Sequence, residues 1–395
     1  MSIASARETV LGAVRPLGTE TVPVGEALGR VLSEDVTASA DVPAFACSAM
    51  DGYAVLSGPG ERTLDIIGES RAGSPTDLTV GDGHAIRVST GAAVPAGADA
   101  VIRQEDVEPR DGAIHTRAAV APGANVRDSG EDMRAGTTVL RAGIVLGPAE
   151  LGAAVAAGAA DLTTARRPLV AILCTGDELR APGESLGPGE IHNSNAPMLH
   201  ALAARSGAQP LDPIRVPDSF SDTEQRLAES LERADILVVS GGVSVGPHDH
   251  VKPALGALGV RELFWGVALQ PGKPTWFGER DGKLVFGLPG NPVSSVVTFT
   301  LFVVPAIMAL QAAADLSMDR TEAELGVAVK RNPGREQALR VRLERRNGTL
   351  LAVPNGPQGS HLVSSLLGAD ALAFIPAGEG ELPAGARVAL EPLPR

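Results

Sequence analysis

The sequence predicts a multidomain chain in which an α/β unit with a mostly parallel sheet lies between β-rich parts. Its 395 residues suffice for roughly two to four domains. In the middle of the chain, continuous apolar runs alternate with segments of helical length, as in α/β units. On both sides, short apolar runs are separated by glycine and proline, of which the chain has 46 and 30, and this pattern favours short strands and turns.

The first 166 residues begin with a helix and are otherwise rich in strands. Apolar residues near helical spacing predict a helix over 3–15, and a second short helix is expected at 25–31. From 36 to 146, runs such as TLDII, HAIRV and TVLRAGIVL predict a β-rich module. An alanine-rich helix is expected at 148–158, because proline opens the segment and glycine closes it.

The α/β unit is predicted at about 167–315. PLVAILC (168–174) and DILVVSGG (235–242) are continuous apolar runs, typical of strands buried on both faces. GLPGNP (287–292) leads into an apolar run at 293–310, which is interpreted as a buried helix and not a membrane span. The other expected elements are helices near 195–206, 221–233 and 249–258, and strands near 260–267, 273–278 and 283–287.

After about residue 318 the pattern becomes β again. ELGVAV, ALRVRLERR, TLLAVP, ALAFIP and ARVALEP follow one another within about 75 residues. This spacing predicts a small β-barrel or sandwich at the C-terminal end.

The composition excludes several classes of protein. The 34 basic and 47 acidic residues give a net charge of −13, the opposite sign to that of a general nucleic-acid binder or a protein held on anionic lipid. The two cysteines, Cys47 and Cys174, are too few for a disulfide scaffold or a cysteine-based metal site. The first residues lack the apolar core of a signal peptide, so we expect a soluble, cytoplasmic protein without a membrane or nucleic-acid partner.

Three polar or glycine-rich segments follow predicted strands. They are CTGDEL (174–179), SGGVSVGPHDHVK (240–252) and GLPGNP (287–292). Ligands of open parallel sheets bind beyond the carboxyl ends of the strands, so these segments are expected to meet at one binding site.

Two of these segments, CTGDEL and SGGVSVGPHDHVK, also have a purely structural interpretation. The glycines of SGGVSVG suit an anion held by backbone N–H groups, or a tight strand–helix turn. Asp249 suits a hard cation or a helix N-cap, and a His-based zinc site beside it is disfavoured by ligand count. Asp177 and Glu178 suit Mg²⁺ or a solvated turn.

Two further segments carry candidate functional residues. PGKP places Lys273, one of four lysines in the chain, between prolines, which favours an anion contact over an ordinary turn. MDGYAV contains Asp51, which fits either a hairpin corner or a functional carboxylate.

Taken together, the motifs resemble a known family. MDGYAV, RVSTGAAVPAGADAVI, GEDMRAG, CTGDEL, IHNSN, SGGVSVGPHDHVKPAL, QPGKP and GLPGNPVSS follow in this order. As an ordered set they closely resemble the molybdopterin molybdenumtransferase family of the MoeA type, which includes the E domain of gephyrin. The resemblance extends from about residue 5 to residue 390.

The resemblance implies an elongated homodimer of L-shaped subunits with four parts. It also implies an active site shared between the α/β domain of one subunit and the β-rich domain of the other. The implied parts are a discontinuous linker domain (1–38 and 137–166), a β-rich domain II (39–136), an α/β molybdopterin-binding domain (167–318) and a C-terminal β-barrel domain (319–395).

The implied reaction inserts molybdate into adenylylated molybdopterin, releases AMP and gives the molybdenum cofactor. Mg²⁺ is the implied cofactor, and molybdate is a substrate. The adenylyltransferase and apo-molybdoenzymes are the implied protein partners. Two alternatives remain at this stage: the related adenylyltransferase activity, and a non-catalytic molybdopterin-binding carrier or scaffold.

The family's functional residues transfer to this chain motif by motif. Two departures affect the transfer: many members have lysine where this chain has Gln270, and an aromatic residue where it has His250. The implied catalytic residues are Asp51, Glu178, Asp249 and Lys273, and the first three are also the implied metal ligands. The implied substrate-binding residues are Thr90, Asp132, Asp218, Ser240, Gly241, Gly242, Ser244, Pro289, Pro292, Arg340 and Ser360.

Overall fold

A computed structural model describes residues 1–243, 249–316 and 321–393. The chain begins with helix α1 (Ile3–Ala13), which Ser2 caps by accepting the N–H of Ser5. The helix packs Ile3, Ala6 and Val10 against the core of the α/β unit. Strand β1 (Thr19–Pro23), a 3₁₀ turn (Val24–Glu26) and strand β2 (Val36–Thr37) follow.

The helix predicted at 25–31 is wrong. Only the 3₁₀ turn forms there, because Gly29 adopts a left-handed φ of 72°. The N–H groups of Gly29 and Leu32 donate to Leu146 and Ile144 instead of to the preceding helical turn. Tertiary hydrogen bonds therefore replace the expected local ones.

The β-rich part contains a six-stranded sheet in the order β7-β4-β6-β5-β9-β8. Its core is formed by buried aliphatic side chains such as Val55, Leu64 and Ile114. The strands of this part are β3 (Cys47–Ser48), β4 (Gly52–Val55), β5 (Arg62–Ser70), β6 (His84–Val88), β7 (Ala100–Arg103), β8 (Val107–Arg110), β9 (Ala113–Thr116) and β10 (Val126–Arg127), with a 3₁₀ turn at Gln104–Asp106.

The chain then returns to its first segment. Strand β11 (Thr138–Leu140) pairs with β2, and after helix α2 (Pro148–Ala156) strand β12 (Asp161–Ala165) pairs with β1 along its whole length. Buried side chains from both segments, including Leu32 and Leu146, share one hydrophobic cluster. The segments 19–37 and 138–165 thus pack as one unit, and the β-rich part is inserted between them in the chain.

The predicted α/β unit is confirmed. Its sheet has the order β16-β13-β18-β22-β21-β19, with β17 also on β13, and β21 alone is antiparallel to the rest. Its strands are β13 (Leu169–Thr175), β16 (Gln209–Pro210), β17 (Ile214–Val216), β18 (Ile236–Ser240), β19 (Arg261–Trp265), β21 (Trp276–Arg280) and β22 (Lys283–Leu288); outside the sheet lie β14 (Leu179–Arg180), β15 (Ile191–His192) and β20 (Leu269–Gln270), and the helices are α3 (Asn195–Arg205), α4 (Phe220–Arg233) and α5 (Val251–Ala257).

The apolar run after GLPGNP forms a buried helix, as predicted. Helix α6 (Pro292–Thr298), a π-helical turn (Phe299–Val303) and helix α7 (Val304–Leu310) are continuous. By length and composition alone this stretch could cross a membrane, but 89% of its apolar window is buried inside the protein. It is the central helix of the largest hydrophobic cluster.

The C-terminal part is a closed five-stranded barrel, in which β25, β26, β23, β29 and β27 pair in a ring. Strand β20 of the α/β unit pairs with β25 and joins the barrel to that unit. The elements are β23 (Glu322–Leu325), β24 (Val329–Lys330), β25 (Glu336–Arg346), β26 (Thr349–Pro354), a 3₁₀ turn (Val363–Leu366), β27 (Ala371–Ile375), β28 (Glu381–Leu382) and β29 (Arg387–Pro392).

Candidate functional site

A cavity of about 720 Å³ lies at the carboxyl ends of β13, β18 and β22. These three strands are neighbours and parallel, so the loops that follow them emerge at the same edge of the sheet. All three segments that the sequence predicts at one site contribute to its wall. Among the predicted site residues, those lining the cavity are Glu178, Asp218, Ser240, Gly241, Gly242, Asp249, Pro289 and Pro292.

Three carboxylates line this cavity: Glu178, Asp218 and Asp249. The loops bearing the first two are connected by a reciprocal pair of hydrogen bonds. The N–H of Asp177 donates to the carboxylate of Asp218 at 3.3 Å, and the N–H of Asp218 donates to that of Asp177 at 3.2 Å. This pair fixes one loop against the other and keeps two acidic side chains at the cavity wall.

The Glu178 carboxylate lies directly over Gly176. Gly176 has a φ of 147°, and a Cβ added there would lie 2.4 Å from Glu178 Oε2. A side chain at position 176 therefore forces the carboxylate to move.

We expect Gly176→Ala to lower the rate of product formation at least about tenfold while the protein remains folded, because misplacing a reacting group by about an ångström is costly. Gly183→Ala is the matched control, since Gly183 also has a positive φ (87°) but a Cβ there would meet no atom within 4 Å. Steady-state kinetics and circular dichroism of both variants test this. Equal activity in the two would show that the position of Glu178 is unimportant.

A buried polar network forms the floor of the cavity. Asn195 Nδ2 donates to the carbonyl of Gly290 at 2.8 Å, which fixes the orientation of the amide because a carbonyl only accepts. The same nitrogen donates to Ser240 Oγ at 2.9 Å, Ser240 lies 3.3 Å from Ser295 Oγ, and Ser295 donates to the carbonyl of Pro289. The network connects the end of β18 to the GLPGNP loop.

The barrel supplies part of the cavity wall. His361 and Val363 line it, and they belong to the segment that connects β26 to β27. Their neighbour Ser360 accepts a hydrogen bond from Asn291 Nδ2 at 3.0 Å, and its carbonyl accepts the N–H of Val293 at 3.1 Å. Ser360 therefore lies at the junction between the barrel and the cavity.

Arg340 lies beneath this barrel segment, with its side chain wholly buried. Its Nη2 donates to the carbonyls of Pro357 (3.3 Å) and Gly359 (3.2 Å), and its Nε donates to Ser365 Oγ at 3.1 Å. No carboxylate pairs with it among the described residues, and burial lowers the pKa of the guanidinium to about 10. The structure thus places Arg340 as a support for the segment that carries Ser360.

Lys273 does not line the cavity. Its side chain is exposed and borders a separate groove together with Arg335, whereas the next residue, Pro274, reaches the cavity. Gln270, which replaces the lysine of many family members, accepts a hydrogen bond from Asn332 Nδ2 at 2.6 Å and so belongs to the junction with the barrel.

Asp51, Thr90 and Asp132 lie in the β-rich part, away from this cavity. The exposed carboxylate of Asp51 accepts the N–H of Thr90 at 2.7 Å and its hydroxyl at 3.0 Å. Asp132 lines another groove, and its N–H donates to the carbonyl of Val42. Ser244 lies outside the described residues.

The hydrogen bonds from Thr90, first its N–H and then its hydroxyl, hold the pKa of Asp51 below its usual value. In Thr90→Val the N–H remains and the hydroxyl is lost, so we expect that pKa to rise part of the way back. A carboxylate with a higher pKa takes up its proton at higher pH. If Asp51 acts in its ionised form, the acid limb of the pH–activity profile therefore moves to higher pH. NMR titration of Asp51 checks this, with Thr90→Ser as the control that keeps the hydroxyl. An unchanged pKa in Thr90→Val contradicts it.

The cavity suits a hard cation only in combination with a ligand. Within the described ranges, no three His, Cys, Asp or Glu side chains converge to hold a metal ion. The lining carboxylates Glu178, Asp218 and Asp249 nevertheless match Mg²⁺, which is usually held by one or two carboxylates together with phosphates and water. Cys174 also lines the cavity, but burial raises the pKa of its thiol to about 11, so it stays protonated near pH 7.

Sequence reasoning missed several residues of the site, among them Asn195, Ser295 and His361. The first two lie inside motifs that signalled the site, IHNSN and GLPGNPVSS, but their inward orientation depends on tertiary contacts. His361 carried no signal beyond its position next to Ser360. Only the packing of the barrel on the α/β unit brings it to the cavity.

The fold and the cavity define a multidomain protein whose α/β unit binds a ligand beneath a barrel-derived wall. Comparison with known proteins agrees with this class. Residues 1–158 match the MoeA N-terminal region (domain I and II), 171–309 match a probable molybdopterin binding domain, and 322–393 match the MoeA C-terminal region (domain IV).

Full-length relatives show the same correspondence. The chain is 36% identical to molybdopterin molybdenumtransferase 2 of Mycobacterium tuberculosis, covering 96% of this chain and 95% of the relative. It is 35% identical to the molybdopterin molybdenumtransferase of Haemophilus influenzae, covering 95% and 94%. The crystal structure of the molybdopterin biosynthesis MoeA protein of Pyrococcus horikosii superposes with a TM-score of 0.82 at 32% identity, covering 100% and 99%. The chain therefore belongs to the molybdopterin molybdenumtransferase family of the MoeA type.

Proposed function

We propose that the chain inserts molybdate into adenylylated molybdopterin, releasing AMP and giving the molybdenum cofactor. The observation that carries this is the cavity of about 720 Å³, in which Glu178, Asp218 and Asp249 face the space next to two glycines at a strand end. A volume of this size lies within the range of pockets that bind small-molecule ligands and cofactors. Family membership supports both the pterin and the transferred metal.

In this proposal the chain's own groups bind and orient the substrate. Gly241 and Gly242 both have positive φ, and together with Ser240 they bring backbone close to the ligand at the end of β18. Glu178 and Asp249 would hold Mg²⁺ next to the phosphoanhydride, where the ion supplies Lewis-acid stabilisation of the leaving phosphate. The Asn195–Ser240–Ser295 network keeps this floor in place.

We further propose that the working form is a homodimer. Asp51 and Thr90 do not line the cavity of their own chain, although the family resemblance assigns both to the active site. A shared site would complete the carboxylate set with Asp51 of the partner subunit. Sedimentation of the protein tests this, and complementation between Asp51→Ala and Glu178→Ala chains distinguishes a shared site from two separate ones. We also propose a cytoplasmic location.

The alternatives are less well supported. An adenylyltransferase needs only the α/β unit, whereas here a barrel segment forms part of the cavity wall. A non-catalytic carrier has no use for three carboxylates that face an anionic ligand, because like charges repel.

The decisive experiment mixes the purified protein with adenylylated molybdopterin, molybdate and Mg²⁺. We expect AMP release together with a product that activates an apo-molybdoenzyme. Adenylylation of molybdopterin from ATP would instead support the alternative enzyme. Tight binding of the pterin without AMP release would support the carrier.

A further inference from the structure

The charge of the cavity leaves its anionic ligand without an obvious counter-charge. Three carboxylates line it, and no lysine or arginine does so in the described part of the chain. The segment 244–248, outside the described residues, has the sequence SVGPH and adds neither. Phosphate and molybdate oxygens need hydrogen-bond donors or cations, and besides the proposed Mg²⁺ and the backbone at Gly241 and Gly242 a side-chain donor would stabilise them further.

Two imidazoles line the described cavity, those of His192 and His361. His192 Nε2 already shares a hydrogen bond with the carbonyl of Glu184 at 3.0 Å. His361 is exposed, and its ring makes no hydrogen bond to another described residue. An imidazole carries at least one N–H donor in either charge state. Of the two imidazoles, His361 is therefore the one whose ring can donate to an anion in this space.

The backbone around His361 is held firmly. Gln358 exchanges hydrogen bonds with the backbone of Arg340, at 2.9 Å to its N–H and 3.1 Å to its carbonyl. Asn355 Nδ2 donates to the carbonyls of Ser365 (2.9 Å) and Leu367 (2.8 Å). Together with the contacts of Ser360 to α6, these bonds fix the segment on both sides of the imidazole, which limits the entropy lost when a ligand binds.

We propose that His361 donates a hydrogen bond from its imidazole to a tetrahedral oxyanion in the cavity. The oxyanion is either a phosphate of the adenylylated pterin or molybdate, which share this chemistry. The proposal rests on the proposed function and adds to it one side-chain donor, the imidazole of His361, beyond the barrel residues Arg340 and Ser360 that the family resemblance implies.

The test measures binding of AMP and of molybdate separately by calorimetry, so it does not depend on turnover. Loss of a hydrogen bond to a charged group weakens binding about tenfold or more, so we expect His361→Ala to raise the dissociation constant of one anion by at least that factor. The affected anion identifies the source: AMP indicates the phosphate and molybdate indicates the metal oxyanion. His84→Ala, which changes an exposed histidine of the β-rich part, is expected to leave both constants unchanged.

Two further measurements keep the proposal open to refutation if His361→Ala fails to fold. His361→Gln retains an N–H donor and is expected to recover part of the affinity. In wild-type protein, the His361 ring resonance, assigned by comparison with His361→Gln, should shift when the bound anion is added. Unchanged constants in a folded His361→Ala, or wild-type protein that binds neither anion, would overturn the proposal. A wild-type protein that binds an anion through His361 but releases no AMP would overturn only the proposed function.

Discussion

Glu178→Gln is expected to lower the single-turnover rate of AMP release about 100-fold or more, equivalent to about 2.7 kcal/mol of transition-state stabilisation. Glu178 lines the cavity and its carboxylate lies over Gly176, so the substitution keeps the shape but removes the negative charge. A neutral amide is a weaker ligand for a hard cation than a carboxylate. The rate is measured at saturating molybdate and Mg²⁺.

Glu232→Gln is the control for this experiment. Glu232 is exposed on α4 of the same α/β unit, and its side chain does not line the cavity. We expect this variant to keep the wild-type rate. If Glu178→Gln also kept at least half of that rate, the assignment of Glu178 to the reaction would be wrong.

Arg340→Met is expected to separate activity from stability. The substitution removes the hydrogen bonds that Arg340 gives to Pro357, Gly359 and Ser365, so the barrel segment with Ser360 loosens. We expect kcat/KM for molybdate to fall by more than about tenfold, as for other losses of positioning. Two effects on the free energy of unfolding oppose each other, because the substitution removes the cost of burying a charge and also leaves the carbonyls of Pro357 and Gly359 without a donor, so we expect a net change of less than about 2 kcal/mol.

The cost of burying this charge follows from the pKa of Arg340. Burial lowers it from its usual value to about 10, so the folded protein binds this proton less tightly than the unfolded chain. The resulting loss of folding stability is fully present below about pH 10. It disappears as the pH rises through the pKa that Arg340 has in the unfolded chain. Urea unfolding at neutral pH measures the effect of removing the charge. The control is Arg342→Met, on the same strand but exposed. A loss of several kcal/mol in Arg340→Met alone would show that the arginine stabilises the barrel itself.

Much of the fold was predictable because it depends on local pattern. The continuous apolar runs of β13 and β18 predicted central strands, and the structure shows both strands buried on both faces. The five C-terminal runs likewise predicted a small β structure, and the structure shows a closed barrel. The prediction for 25–31 failed because the N–H groups of Gly29 and the adjoining Leu32 donate to the carbonyls of Leu146 and Ile144, more than 100 residues later, which no local pattern reveals.

The site, too, has a part that the sequence predicts and a part that it does not. The carboxyl-end rule brought Glu178, Asp249 and the GLPGNP loop to one edge from sequence alone, because parallel neighbouring strands leave no other arrangement. The position of Lys273 was not predictable, since whether a side chain faces the cavity or the adjacent groove depends on how the α/β unit meets the barrel.

The sequence by itself determined the order of the parts, the edge of the sheet where the ligand binds and, through its ordered motifs, the family. Tertiary structure decided which side chains reach the cavity and which support it. It buried Arg340 beneath the barrel segment, oriented Asn195 inward and brought His361 to the cavity. The physical reason is that strand direction and burial are set by short-range periodicity, whereas contacts between separately folded units depend on the packing of surfaces far apart in the chain.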